Sequence, residues 1–476
     1  MNMDIEQALT NFRAGAERYG KAERYYNGDH DLAFATEKFQ NTFGTLFREF
    51  ALNLCPVICD AVRDKLRIVG FSVEADGAVS SQPSAVSIGD SSNSGDSVNS
   101  VNSVTRSIWQ RNRMGTRAGE IHKEAFICGD AYMMVWPDRD GNAVFYPNRA
   151  ANMTVVADDD VPGRVLWAAK QWITNDKHVR LNLFYPDRIE KYISKRESEG
   201  VLPDAKDFVP VGTRASLPAW TRVRPDGPSA SALMTPEEPA LRAGMPAFRH
   251  VVDNPYGIVP VFHFANNADL GMTGRSELEA AMPVQDGLNK LVLDMLVAME
   301  FSAYRQRWAA GIEIEIDAEG KAVAPFKAGV EHLWISENPN ARFGDFDTAE
   351  LAQFLKVKDS FRVDIASVTG TPLHYFLQHT GDFPSGESLK KAETRFLAKV
   401  RDRQESFGQV WADAMSFALR IECRSDVRLI TDWEDPAPMS EREVLENLLL
   451  KKQLGLSTEQ ALIEVGYGAS DVSKMI

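Results

Sequence analysis

From Leu389 onward, apolar residues recur at Leu389, Ala392, Phe396, Val400, Phe407, Trp411, Ala414, Ala418 and Ile421, in steps of three, four and seven. That spacing puts them on one stripe of a single α-helix, so the fold must accommodate an amphipathic rod that starts near Ser385 and runs roughly 50 Å. Few compact enzymes use such a rod, whereas a subunit of a large assembly does. Upstream, an apolar helical segment from Phe361 stops at Thr369-Gly370-Thr371-Pro372, and a polar loop joins it to the rod. The remaining segments are placed relative to that loop.

The 476 residues are 44% hydrophobic and 25% charged, a balance that fits a globular chain of about two to four domains. A formal net charge of −14 disfavours a protein that holds nucleic acid by neutralising phosphates. Four cysteines, Cys55, Cys59, Cys128 and Cys423, are too few and too scattered for a disulfide scaffold. Cys55 and Cys59 have no second Cys or His pair at ligand spacing and read as buried helix thiols, so no metal site is expected. The first twelve residues carry acids ahead of their apolar positions, which predicts no signal peptide. No apolar run approaches the roughly 18 residues of a membrane span. The expectation is a soluble chain made in the cytoplasm, without membrane contact.

Taken in order, residues 4–25 predict a helix ending at the Asn27-Gly28 turn, residues 56–66 a second helix, and residues 68–73 a short strand. Between 75 and 104, ten of thirty residues are serine and none is aromatic, a composition that predicts a flexible insertion. Helix resumes over 104–128 and ends at Gly129. Strands follow at 131–136, 143–146, 153–157, 165–173, 179–185 and 189–193, spaced as in an antiparallel meander. Residues 200–260 hold ten prolines and read as extended surface connections, and 258–264 is expected to close the sheet.

A helix capped by Ser276 then carries Leu278, Met282, Leu288, Leu291, Met295 and Met299 on one stripe, with Pro283 in its first turns. The period changes to two over 311–350, a hairpin with nine acids, including Glu313, Glu315, Asp317 and Glu319, against three bases. Such charge density suits a solvated surface or a basic partner. Leu351, Phe354, Leu355, Phe361, Ile365 and Val368 mark the returning helix. Beyond the rod, an acidic joint at 432–438 precedes short helices at 440–454 and 457–465, each opened by a capping box.

The sequence holds no Walker or dinucleotide-binding glycine loop, no Gly-x-Ser-x-Gly elbow, no zinc-protease helix and no calcium loop. His374 and His379, five apart, fall on different sides of any helix, and the Asp158-Asp159-Asp160 triplet reads as a solvated turn. Neither a catalytic residue nor a cofactor is nominated. Across fourteen residues of the rod, Lys390, Lys391, Arg395, Lys399, Arg401 and Arg403 outnumber Glu393 and Asp402. These bases suit a solvated helix face, salt bridges to a neighbouring subunit, or phosphate contact.

The order of these parts resembles the portal proteins of tailed bacteriophages, of the family used by long-tailed siphophages. Four stretches carry the resemblance, which covers most of the chain: Tyr25-Tyr26-Asn27-Gly28; Pro260-Val261-Phe262-His263-Phe264-Ala265-Asn266-Asn267 ahead of Gly274-Arg275-Ser276-Glu277-Leu278; Gln285-Asp286-Gly287-Leu288-Asn289-Lys290; and Phe383-Pro384-Ser385-Gly386-Glu387-Ser388-Leu389-Lys390. The resemblance implies an α+β portal fold that assembles into a twelve-fold ring at one capsid vertex. Residues 1–275 would be an α/β wing, 276–310 and 349–369 a two-helix stem, and 311–348 a small clip containing β-structure. Residues 370–385 would be a tunnel loop, 386–430 a long kinked wing helix, and 431–476 a short helical crown. The serine-rich stretch at 75–104 departs from a compact wing.

The same resemblance implies a virion protein, assembled in the bacterial host cytoplasm, that conducts double-stranded DNA during packaging and ejection. Its implied partners are the terminase large subunit, the major capsid and scaffolding proteins and the head-tail adaptor, with Glu313, Glu315, Asp317 and Glu319 at the clip. Leu373, His374, Gln378, His379 and Thr380 are the residues expected nearest the duplex, and Lys390, Lys391 and Arg395 are candidates for DNA or inter-subunit contacts. The rival readings are a phage-associated enzyme, such as a nuclease or minor-capsid modifying activity, and a monomeric structural adaptor.

Overall fold

The chain enters through α1 (Met3–Asn27), which serves two cores in succession: Ile5, Ala8, Leu9 and Phe12 pack in one, Tyr19, Ala22 and Tyr25 in another. Next come α2 (Cys55–Asp64), with Pro56 in its first turn where no helical N–H is required, and β1 (Ile68–Val73). This computed structural model describes residues 3–31, 52–74, 95–158, 160–161, 163–198, 200–212, 250–268, 273–303, 307–312, 338–345, 350–377, 386–423, 427–437, 441–453, 455 and 457–460.

The following helical region differs from expectation twice. Helix α3 (Gly95–Arg111) begins inside the serine-rich stretch, because Val101, Val104 and Ile108 form a stripe that packs on the core. The part at 75–94 lies outside the described residues. Second, 104–128 is not one helix: α4 (Met114–Cys128) starts afresh after Arg113, whose φ of 54° is left-handed. Buried Asn112 stabilises the break. Its amide donates to the carbonyls of Ile108 and Ala143, each at 3.0 Å, and accepts the Phe145 N–H at 3.1 Å.

After Gly129, the strands β2 (Asp130–Pro137) and β3 (Ala143–Asn148) lead through a 3-10 turn, Ala150–Asn152, to β4 (Met153–Ala157), β5 (Val165–Ile173), β6 (His178–Phe184) and β7 (Arg188–Glu197). Then follow β8 (Phe208–Pro210), β9 (Val251–Asp253) and β10 (Val261–Ala265). The expected single sheet is two. Strands β4 to β8 form the antiparallel meander in order, and β9 shares the outer edge of β7 with β8. Strand β10 does not close that sheet; it pairs with β2 in a separate sheet ordered β10-β2-β3. The division follows from β2 being buried on both faces: Met133 and Val135 face the helical core, and Tyr132 faces the larger sheet.

Past β10, residues 277–281 form turns, and α5 (Met282–Ala303) begins five residues later than a cap at Ser276 predicts, with Pro283 in its first turn. Strands β11 (Arg307–Ala310) and β12 (Arg342–Asp345) pair at the far end, and α6 (Leu351–Thr369) returns alongside α5. Phe361 fills the space above Gly287, where a Cβ would meet its ring at 2.9 Å. Gly370, at φ 67°, terminates α6 as a left-handed cap. Helix α7 (Gly386–Cys423) is helical throughout its 38 residues and ends earlier than 430.

What reads as an acidic joint starts as a strand. β13 (Leu429–Trp433) pairs antiparallel with β1, and Thr431 Oγ1 donates to the Gly408 carbonyl of α7 at 2.7 Å. The last described helix is α8 (Glu441–Gln453). Beyond it, Ser457 and Gln460 exchange capping-box hydrogen bonds of 3.2 and 3.3 Å, as their spacing predicts. The main core gathers α2, α4, the small sheet, α7 and the inner ends of α5 and α6.

Candidate functional site at the foot of the helical hairpin

Segments far apart in the chain meet where β10 gives way to α5. Gly129, at φ 93°, and Gly274 cross backbone to backbone, and the Asn266 N–H donates to the Gly129 carbonyl at 2.8 Å. Beside the crossing, Asp130 is wholly buried. It accepts the Gly274 N–H at 2.9 Å, the Tyr19 hydroxyl at 2.8 Å, Arg18 at 2.6 Å and His263 Nε2 at 2.8 Å. Burial alone would raise this carboxyl, but His263, the Gly274 N–H and Tyr19 together hold it below its ordinary value.

A second buried carboxylate, Glu277, pairs with Lys399 and Arg403 of α7 and accepts Asn266 Nδ2 at 3.1 Å. Burial again works against ionisation, and Lys399 foremost overcomes it, so Glu277 titrates below its usual range. One turn into α5, Gln285 binds α2's leading strand of chain: its amide donates to the Leu52 carbonyl at 2.6 Å and accepts the Leu54 N–H at 3.1 Å. Asp286 accepts the Tyr25 hydroxyl at 2.8 and 2.9 Å, and Asn289 Nδ2 donates to His30 Nδ1 at 2.8 Å. The other ring nitrogen, Nε2, then carries the proton and donates to the Tyr25 carbonyl at 3.1 Å. What these groups do chemically is hold backbone: they weld α1, α2, the small sheet and α7 to the hairpin.

The family model described as phage portal protein, SPP1 Gp6-like, matches residues 6–472. The chain belongs to that family of phage portal proteins. The portal protein of Mycobacterium phage L5 is 28% identical over 233 residues, covering 46% of this chain and 48% of that protein. The portal protein of Mycobacterium phage D29 shows the same identity and coverage. The chain thus spans about half the length of the curated relatives it matches.

Three of the four stretches that resemble the portal family therefore lie together in this one joint, through Tyr25, Asn266, Gly274, Glu277, Gln285 and Asp286. The tunnel-loop residues are only partly described. Leu373 packs against the main core within a 3-10 turn, and His374 stacks on Tyr375 with its Nε2 3.2 Å from Glu393. Gln378, His379 and Thr380 lie outside the described residues, as do Glu313, Glu315, Asp317 and Glu319. Lys390 pairs with Glu443 of α8, Lys391 is exposed on the same turn, and the Arg395 guanidinium lies against Gly370.

The basic run thus divides: Lys399 and Arg403 turn inward to Glu277, while Arg395 and Arg401 are exposed. The sequence around Glu277 gives no local sign of its burial. The usable signal was the four-residue spacing of Lys399 and Arg403, which places two cations on one helix face.

Among the described residues, Glu23, Glu124 and Cys128 bring donor atoms within 4.8 Å of one another. Glu124 already accepts the Ala150 N–H at 3.0 Å and the Cys128 thiol, burial pushes that thiol well up, and Arg149 lies 3.9 Å from Glu23. These donors are engaged within the chain.

Asp286 supplies a test of the joint. Burial lifts its carboxyl to about 6, the Tyr25 hydrogen bond pulling the other way. A folded-state value above the unfolded one means that the protonated form contributes stability below about pH 4, and that this contribution is lost as pH rises through about 6. Asp286→Asn is expected to match the wild-type Tm at pH 4 and exceed it at pH 7.5, as followed by thermal unfolding. A Tm difference independent of pH rules out the assignment.

Proposed function

We propose that this chain is the subunit of a portal ring, twelve-fold, at one vertex of a phage capsid, through which double-stranded DNA enters during packaging and leaves during ejection. In this reading residues 1–275 form the wing, and α5 and α6 form the stem. Residues 311–348 are the clip that meets the terminase large subunit and later the head-tail adaptor, and residues 370–385 line the channel. The major capsid and scaffolding proteins surround the ring, and the site of action is the virion. The family match supports the portal role. No helix among the described residues is long and apolar enough to cross a membrane.

One observation carries the assembly. Successive helix residues turn by about 100°. On α6, exposed Leu355 and Val363, with exposed Asp359 between them, therefore lie toward one flank, and exposed Val357 and Val368 lie on the opposite flank. Between the flanks, the face turned away from α5 holds Lys356, Ser360, Asp364 and Ser367, all exposed. A hairpin with a polar outer face and exposed apolar residues on both flanks suits a stave with a neighbour on each side. The net charge of −14 supports passive conduction, since a sliding duplex is not gripped by an acidic protein.

Negative-stain microscopy of the purified chain tests this: rings with a central hole are expected, and compact monomers would overturn it. Strong ATP hydrolysis or tight duplex binding by the ring would also contradict passive conduction. Leu355→Asp with Val368→Asp is expected to convert rings to monomers in sedimentation. Both side chains are about half exposed in a single chain, so the monomer should lose under about 1 kcal/mol.

A further inference from the structure

Among the described residues, little holds the direction of the outer half of the hairpin. Among the described residues of α5 the last buried one is Leu293, and on α6 the buried residues are Ile365, Ala366 and Thr369, all near its end. The hairpin is therefore a lever anchored at its foot, and both sides of the foot converge on one side chain. The Lys399 ammonium, 17% exposed, pairs with Glu277 on the entering side and donates to the Thr369 carbonyl, the last residue of α6, at 3.1 Å. A cation there also meets the negative end of the α6 dipole.

Arg403, one turn along α7, holds the same carboxylate at 3.3 Å, and Asn266 ties it to the end of β10. Asn266 Oδ1 and Arg403 Nε are buried without a hydrogen-bond partner among the described residues. Neutral groups thus leave the cluster incompletely matched, and its charges set the arrangement.

We propose that Lys399 is the positioning residue that sets the direction of the α5–α6 hairpin on the α/β body, acting through Glu277 and the Thr369 carbonyl as two anchor points. The inference concerns a single chain and stands apart from the portal reading. An ion pair that merely adds stability would lower Tm when removed and leave the hairpin where it is. A positioning residue moves the hairpin.

The test is the distance between spin labels at Ala352→Cys near the outer end of α6 and Val69→Cys on β1, both exposed sites, with exposed Cys423→Ser. The full chain is used, diluted with excess unlabelled chain so that pairs within one molecule dominate. Ala352 lies about 25 Å from the foot, so a rotation of about 10° moves it by about 4 Å. Lys399→Met is expected to shift or broaden the distance distribution on that scale, and Lys399→Arg, which keeps a charged donor, to restore most of it.

Val179→Ala, in the large sheet, is the control for general destabilisation and should lower Tm with the distance unchanged. A Lys399→Met distribution identical to wild type, with Tm lowered, overturns the proposal. Should Lys399→Met fail to fold, Glu277→Gln gives the same reading, and an unchanged distribution there overturns it equally.

Discussion

Gly274→Ala is expected to abolish folding at 37 °C, or to lower stability by more than about 4 kcal/mol. A Cβ on Gly274 would sit 1.9 Å from the Gly129 carbonyl oxygen and 2.9 Å from the Asn266 nitrogen, both backbone atoms with no freedom to swing aside. Relief requires separating the two strands of chain. That breaks the Asn266 to Gly129 hydrogen bond and withdraws the Gly274 N–H from Asp130, a wholly buried carboxylate. Gly129 is bound twice over, since its φ of 93° is itself unfavourable for an L side chain. Gly119→Ala in α4 is the matched control: nothing lies within 4 Å of its Cβ, and alanine is the better helix former. Soluble yield and thermal unfolding compare the two, and equal behaviour would mean that the backbones do not cross as described.

Trp411→Ala is expected to cost about 3–5 kcal/mol through the cavity it leaves. The indole is fully buried, in ring contact with Phe264 at 5.0 Å and Trp109 at 5.3 Å, and its Nε1–H donates to His122 Nε2 at 2.9 Å. Trp411→Phe keeps most of the volume and removes the donor, for which about 1–3 kcal/mol is expected.

The hydrogen bond also fixes the acid response. His122 uses Nε2 as acceptor, so a second proton must displace the indole, and burial pushes the imidazole down to about 3 from an ordinary 6.5. A depressed folded-state value means that the contribution is complete above about pH 6.5 and is lost progressively as pH falls toward 3. Acid unfolding of wild type should therefore begin in that window. His122→Gln, which keeps an acceptor that cannot charge, should flatten the profile there. A variant with the wild-type profile would assign the acid response to other groups.

Apolar periodicity made much of the fold legible. The rod's Phe396, Val400, Phe407, Trp411, Ala414 and Ala418 are buried as their spacing predicts, though Ala392 is exposed because the first turns of α7 lie beyond the core. Strands β4 to β7 were readable from their regular spacing in the chain. What escaped was polar or non-local. The break at Asn112 depends on an amide finding β3, and the clasp at Glu277 depends on cations more than a hundred residues away. Neither produces a period. Three of the four family-like stretches named the joint without explaining it, since their residues are partners only in three dimensions.

The pairing of β1 with β13 has a consequence for synthesis. Ser72 and Asp432, hydrogen-bonded across it at 2.9 Å, are separated by 360 positions. At about 5–20 residues per second, a ribosome takes some tens of seconds to supply the second strand after the first has emerged. Throughout that interval β1 presents an edge whose mate in its own chain does not yet exist. Completion of the α/β body is thus deferred until Trp433 at the end of β13 has been made.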